Sequence, residues 1–320
     1  MTDAHKTYDL QGKRVYVAGH GGMVGSALLR RLASEGCEIL TATRAQVDLR
    51  RQAEIEAWMD DARPHAVFIP AATVGGILAN DTRPAEFIYD NLMIETNLMH
   101  ASWRVGVEKL LFLGSSCIYP KFAAQPMAED ALLTGPLEST NQWYAVAKIA
   151  GIKLCQAYRR QYGCNFISAM PTNLYGIGDN FDLQSSHVLP AFIAKTHAAK
   201  VSRATSVTIW GTGTPLREFL YVDDCADALV YLMKNYAREE HINVGVGHDI
   251  SILDLAKLVR QIVGFDGEII MDVSKPDGTP RKLMDVSRLT QAGWKAQTSL
   301  EEGIQTVYRW YCDQVIVPAH

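Results

Sequence analysis

The sequence predicts an α/β protein: a doubly wound parallel sheet joined to a second, smaller α/β substrate-binding domain. Three observations lead there. Short apolar runs such as RVYVA (14–18), AVFI (66–69) and KLLFL (109–113) alternate with amphipathic stretches of helical period. Strands so uniformly apolar must be covered on both faces, as in a parallel sheet flanked by helices. The first run enters a glycine-rich turn that opens a helix. Finally, 320 residues with 48% apolar and 21% charged side chains supply a core for one large or two moderate domains.

Taken in order, Arg14 to Ala18 is the first strand. Gly19-His-Gly-Gly22-Met-Val-Gly25 follows, and a helical pattern continues from Ser26 through Glu35. Glu38 to Ala42, Ala66 to Ile69 and Lys109 to Leu113 predict strands two to four, with helices over Gln52 to Asp60 and Ala85 to Val105. A long helix, Gln142 to Tyr162, leads to a fifth strand, Asn165 to Met170. After Pro171 the pattern changes. Thr172 to Ser186 is rich in Gly, Asn and Asp without a period, and is expected to form a long active-site loop.

Further on, Leu189 to Ala199 reads as helix, Val207 to Trp210 as strand and Gly211 to Pro215 as a turn. Glu218 to Asn235 reads as strand then helix, with Asp223 and Asp224 near the helix start, where carboxylates favour free amides. A strand near Ile242, a helix Leu253 to Val263, a strand Glu268 to Met271 and two helices beyond Val286 complete the chain. The expected division is 1–172 for a dinucleotide-binding domain, with 217–248 returning to it. Residues 173–320 mainly form the substrate domain.

Charge and cysteine usage exclude several classes. A net charge of -4 and scattered Lys and Arg leave no basic field for a nucleic-acid backbone. The six cysteines show no C-x-x-C pair and no regular spacing, so neither a disulfide framework nor a zinc site is expected, and no metal is called. The polar stretch Met1 to Lys13 lacks the apolar centre of a signal peptide, and no apolar run approaches the ~20 residues of a membrane span. A cytoplasmic protein with reduced thiols is expected.

Gly19, Gly22 and Gly25 lie at G-x-x-G-x-x-G spacing between strand and helix. A pyrophosphate needs that tight turn, close backbone approach and a helix N-terminus aimed at its charge. This makes the fold Rossmann-like, with Met23 and Val24 beside the glycines at the cofactor. The second strand ends Thr41-Ala42-Thr43-Arg44, with no acid to hold ribose hydroxyls and one guanidinium suited to a 2′-phosphate. NADPH is therefore favoured, with Asp48 placed to approach the adenine or its ribose.

The reacting groups come next. Tyr144 and Lys148 stand one helical turn apart, and Ser115 follows the fourth strand in Gly114-Ser-Ser-Cys117. A phenol beside an ammonium can hand a proton to a carbonyl, because the positive charge lowers a pKa otherwise near ~10. Ser115 would steady the carbonyl oxygen, and Lys148 would also hold the nicotinamide ribose. Ligands sit at the carboxyl ends of parallel strands, where this serine lies.

These motifs, together with GHGGMVGSA, VGGILAN, FIYDNLMIETN, LFLGSSCIYPK, YAVAKIAGIKLC, MPTNLYG, SHVLPA, WGTGTPLREFLYVDD and SKPDGTPRKLMDVSRL, resemble the extended short-chain dehydrogenase/reductases that act on GDP-sugars. The resemblance covers nearly the whole chain. It implies epimerisation of GDP-4-keto-6-deoxy-D-mannose at carbons 3 and 5 and NADPH-dependent reduction at carbon 4, giving GDP-L-fucose. It assigns Cys117 and His187 to the epimerisation as acid and base, without saying which is which. A thiol near ~8.5 and an imidazole near ~6.5 both exchange protons around neutrality.

The resemblance further implies that Pro171, Asn173, Leu174 and His187 lie against the nicotinamide end. Lys195, Trp210, Arg217 and Asp277 would hold the nucleotide half of the substrate, with Arg281 and Lys282 as further candidates. It also implies a homodimer, through the helices near Ala85 to Val105 and Gln142 to Tyr162. Three departures stand out: Gly21 where the family often has arginine, Pro70 and Thr73 where it has alanine and lysine, and Trp143 where smaller residues are common. Two alternatives stay open at this point. One is a carbon-4 reductase of a related GDP-sugar with one epimerisation or none, and the other a non-catalytic NADP(H)-sensing module.

Overall fold

The computed structural model describes residues 7–183, 185–275 and 277–316. The first part of the chain runs β1 (Arg14–Val17), α1 (Met23–Leu32), β2 (Glu38–Leu40), α2 (Gln52–Ala62), β3 (Ala66–Ile69), α3 (Ile77–Thr82), α4 (Pro84–Arg104), β4 (Lys109–Leu113), α5 (Gln142–Tyr162) and β5 (Phe166–Pro171). It continues through β6 (Asn173–Tyr175), α6 (Val188–Val201), β7 (Ser206–Trp210), β8 (Leu216–Arg217), β9 (Phe219–Tyr221), α7 (Val222–Asn235) and β10 (Ile242–Val244). The last elements are β11 (Ile250–Ser251), α8 (Ile252–Val263), β12 (Glu268–Asp272), β13 (Arg281–Lys282), α9 (Ser287–Gln291) and α10 (Leu300–Trp310).

Six strands form one parallel sheet in the order β10-β5-β4-β3-β1-β2. Strand alternation divides its side chains between two cores. Val15, Val17, Phe68, Leu111 and Leu113 pack toward α1 and α7, with Leu28, Leu32 and Leu229. Tyr16, Val67, Leu110, Phe112 and Phe166 pack the other way, with Met59 of α2, Leu98 of α4 and Ile152 of α5. Each fully buried side chain of this size contributes roughly 2 kcal/mol of hydrophobic stabilisation. β4 and β3 are buried at every position, which explains their unbroken apolar sequences.

β10 pairs with β5, and α7 packs on α1, so the chain returns to this sheet after leaving it. A third core gathers Phe192 of α6, Ile209 of β7, Val259 of α8 and Ile304 of α10. Around it lie a three-stranded sheet, β11-β8-β13, and the pairs β12-β7 and β6-β9.

Some sequence expectations need correction. The stretch after Pro171 is not all loop: Asn173–Tyr175 forms β6, paired parallel with β9 so that Asn173 meets Phe219. Three residues carry no visible period, and the partner that makes them a strand lies far along the chain. α1 begins at Met23 rather than Ser26, because glycine adds nothing to an apolar pattern. The short helix α3 falls in a segment to which no element had been assigned.

Candidate active site

The glycine turn is closed by necessity. Gly19 has φ +91°, and a Cβ there would stand 2.8 Å from the Ala71 Cα. A Cβ on Gly25 would overlap the Gly19 carbonyl oxygen and stand 2.7 Å from the His20 Cα, so only glycine lets α1 start this close to the turn. Gly22 caps α1 without a side-chain hydrogen bond, and its first turn holds no acid. The amides of Met23, Val24 and Gly25 are thus left to an outside acceptor, and a Cβ on Gly21 would meet nothing. These features fit a dinucleotide pyrophosphate.

At the adenine end, Arg44 is exposed on the segment after β2. Asp48 is committed: Arg50 donates to both its oxygens, at 3.0 and 2.7 Å, and holds the carboxyl well down, to about 2. Pro171 ends β5 opposite Val244, and the Asn173 amide donates to the Glu218 carbonyl oxygen at 2.8 Å. Leu174 packs against the α1 core.

Ser115 follows β4 and caps a short helical turn, its hydroxyl accepting from the Cys117 N–H at 3.4 Å. Tyr144 and Lys148 project from α5, whose contact with that turn brings the four residues together. Lys148 is buried; its ammonium donates to the Leu113 carbonyl at 3.1 Å and lies 4.6 Å above the Phe112 ring. It stands 5.8 Å over the Tyr144 ring, whose other neighbour, Phe87, meets it edge-on.

Burial pushes the Tyr144 hydroxyl well above its ordinary value, and Cys117 and Glu95 push it further. Lys148 is itself lowered by burial, which Glu95 and Cys117 oppose, and one of its three N–H donors goes to a backbone carbonyl. Tyr144 thus rests as the phenol, and Lys148, 5.8 Å from its ring, stands close enough to support a phenolate once the proton has left. Tyr144 is held firmly as the protonated donor.

Cys117 is buried and its thiol raised, an effect that Lys282 opposes most. His187 occupies the N-cap position of α6 without a side-chain capping bond, and part of its surface is exposed. Partial burial of the ring lowers its pKa, and Lys282 lowers it further. Lys282 is therefore the group shared by Cys117 and His187. A further substrate candidate from the sequence, it lies on β13, in register with Arg217 of β8, with its ammonium lowered by burial.

The remaining candidates cluster beyond this point. The Lys195 ammonium lies 5.4 Å from the centre of the Trp210 ring, as does that of Lys275, which the sequence reading had not singled out. Trp210 is 64% exposed, a face open to a flat ligand. Asp277 accepts from the Thr212 N–H at 2.9 Å and hydroxyl at 2.7 Å, and it also acts on Arg217. Arg281 is paired with Asp249 at 2.6 Å and turned to that partner. Glu218 and Glu95 were missed as well, because an acid in the sequence reads as a solvated face. A surface depression of about 550 Å³ between α8 and α10, lined by Gln261, Tyr308 and Cys312 among others, contains none of the expected site residues.

The sequence matches the NAD dependent epimerase/dehydratase family over residues 15–245. GDP-L-fucose synthase of Sinorhizobium fredii (strain NBRC 101917 / NGR234) is 62% identical, over 96% of this chain and 98% of its own. GDP-L-fucose synthase of Escherichia coli (strain K12) is 51% identical, over 94% and 97%. The crystal structure of a GDP-L-fucose synthetase from Naegleria fowleri bound to NADP superposes with a TM-score of 0.89 at 28% identity, covering 97% of both chains. The chain belongs to the NAD dependent epimerase/dehydratase family, and within it to the GDP-L-fucose synthases.

Proposed function

We propose that the chain converts GDP-4-keto-6-deoxy-D-mannose to GDP-L-fucose, by epimerisation at carbons 3 and 5 and NADPH-dependent reduction at carbon 4. The observation that carries this reading is one cluster joining two chemistries. Tyr144, Lys148 and Ser115 serve reduction of a ketone, while Cys117 and His187, both influenced by the Lys282 charge, serve proton exchange beside it.

Carbons flanking a ketone lose protons readily because the anion spreads onto the carbonyl oxygen. Cys117 and His187 remove and return those protons, one from each side, and the Lys282 charge favours the deprotonated form of both. Ser115 donates its hydroxyl to the ketone oxygen and holds it as charge builds. When bound, the reduced nicotinamide supplies the hydride for carbon 4. Tyr144 gives its hydroxyl proton to the oxygen, and Lys148 steadies the phenolate that remains.

The amides of Met23, Val24 and Gly25 hold the cofactor pyrophosphate, and Arg44 holds the 2′-phosphate. Asp48 supports Arg44 rather than the ribose, since Arg50 occupies it. Pro171, Asn173 and Leu174 flank the nicotinamide. Arg217 and Lys282, side by side in register, present two cations whose repulsion a sugar diphosphate relieves. Lys195, Trp210 and Asp277 bind the nucleoside.

Residues 1–172 with 217–248 form the cofactor unit, and the remainder of 173–320 the sugar-nucleotide unit. The working form is a homodimer through α4 and α5, where Tyr89, Trp143, Val146 and Tyr162 are exposed. A cytoplasmic setting suits six free cysteines, and no helix among the described residues is long and apolar enough to cross a membrane.

Turnover of GDP-4-keto-6-deoxymannose with NADPH in heavy water tests the reading. NMR should identify GDP-L-fucose carrying deuterium at carbons 3 and 5. A reduced product without deuterium at either carbon would make this a simple reductase and overturn the proposal.

A further inference from the structure

Glu95, on α4, is a carboxyl that none of the chemistry above uses. It is 1% exposed, and neither oxygen has a hydrogen bond of ordinary geometry, the Gly151 N–H offering only a weaker contact. Keeping such a group in the core is costly, so its surroundings need a reason. α5 leaves space for it: a Cβ on Gly151 would stand 3.0 Å from the Glu95 Oε2. The Phe112 ring edge fills the same space, and its face carries the Lys148 ammonium. Lys148 and Gly151 are three residues apart on α5 and share one side of it.

The titratable groups around Glu95 are few. α5 brings Lys148, Tyr144 and Cys155, and the turn after β4 brings Cys117, which acts on both Lys148 and Tyr144. α2 and β3 add apolar side chains, Ile55, Met59, Val67 and Ile69, to the same core. The α2 acids that reach α4, Glu56 and Asp60, pair with Arg104 at its far end, and Asp81 of α3 is exposed. Lys148 is thus the cation that answers Glu95.

We propose that Glu95 is a positioning residue for the reduction: its carboxyl, buried behind Lys148, sets the charge of that lysine and so the pH range over which Tyr144 delivers its proton. The inference rests on the reductase reading of this site. Burial drives both groups toward neutrality, and each opposes the other's shift. Glu95 as carboxylate holds Lys148 as ammonium to higher pH. Without it the lysine loses its proton earlier, and the phenolate left by Tyr144 loses its support.

Wild-type turnover comes first, since a chain that never turns over the keto-sugar sinks the reading of the site and this role with it. In Glu95→Gln, the alkaline limb of kcat/KM for NADPH oxidation should move down by about one pH unit, lowering the rate at high pH about tenfold. Solvent deuterium entry into the sugar should keep its own profile, and Glu95→Asp should restore part of the limb. A limb that superposes on the wild type, or a loss equal at every pH, overturns the proposal. Should Glu95→Gln not fold, carboxyl NMR of wild-type protein with the Glu95 signal assigned decides: that carboxyl must titrate above about pH 7, and an ordinary value for it is fatal.

Discussion

Lys282, carried on β13 from the C-terminal half, lies near enough to Cys117, in the turn after β4, for the charge of each to shift the other's titration. The ammonium favours the thiolate and the thiolate favours the ammonium, against a burial that disfavours both charges. A thiol in an apolar wall is inert, whereas one beside a cation becomes an adjustable proton carrier. The same ammonium also lowers His187. One side chain thereby biases both groups of the proposed epimerisation toward releasing protons.

Replacing Lys282 with Met removes that bias while keeping most of the stem. The Cys117 pKa should rise, because the group that opposes its burial is gone. Alkylation by iodoacetamide requires the thiolate, so its midpoint should move to higher pH and its rate near pH 8 should fall several-fold. Mass spectrometry of the Cys117 peptide reads the rate directly. An alkylation profile identical to wild type would show that the lysine does not govern this thiol.

Tyr144→Phe removes the proton donor and leaves Cys117 and His187 in place. Reduction should fall by at least about 10²-fold, the usual contribution of a general acid. Deuterium entry at the carbons beside the ketone should persist, since enolisation needs no hydride. Parallel loss of both reactions would show that the two chemistries do not divide between these residues.

Where the chain's own local pattern decides the structure, the sequence was readable. α5 matches its expected ends at Gln142 and Tyr162, because Gly163 at φ +71° stops it. β3 and β4 were plain because burial on both faces demands unbroken apolar runs. β6, β8 and β13 were not, because two or three residues become strand only through partners far away in the chain. The same limit governs the site. Tyr144, Lys148, Ser115 and the glycines announce themselves by spacing within one strand or helix. Lys282 and Glu95 do not, since an acid or lysine in a polar context reads as surface until the fold buries it.

Arg44→Ala tests cofactor choice. Arg44 is exposed, and Gly21 adds no second cation near the turn, so the proposed site leaves the 2′-phosphate to one guanidinium. Its loss should raise KM for NADPH about tenfold while leaving KM for NADH nearly unchanged, since charge-assisted contacts of this kind amount to about 1.5–3 kcal/mol. Steady-state kinetics with each cofactor gives the ratio. An unaltered ratio would assign the preference elsewhere.

Glu218→Gln tests what holds the proposed substrate cations, Arg217 and Lys282, in place. The Glu218 carboxylate, fully buried between β8 and β9, accepts from the Val246 N–H at 2.6 Å, the Gly247 N–H at 2.8 Å and the Met284 N–H at 2.9 Å. It thus ties the loop after β10 and the segment after β13 to the residue following Arg217. An amide has one acceptor oxygen and must turn its NH₂ toward one of those donors, stranding it. The cost should be about 2 kcal/mol, read as a thermal midpoint lower by roughly 5 °C. Because Arg217 and Lys282 flank this clasp, KM for the GDP-sugar should rise more than kcat falls. A midpoint drop with unchanged KM would mean that the clasp stabilises the fold without aligning those cations.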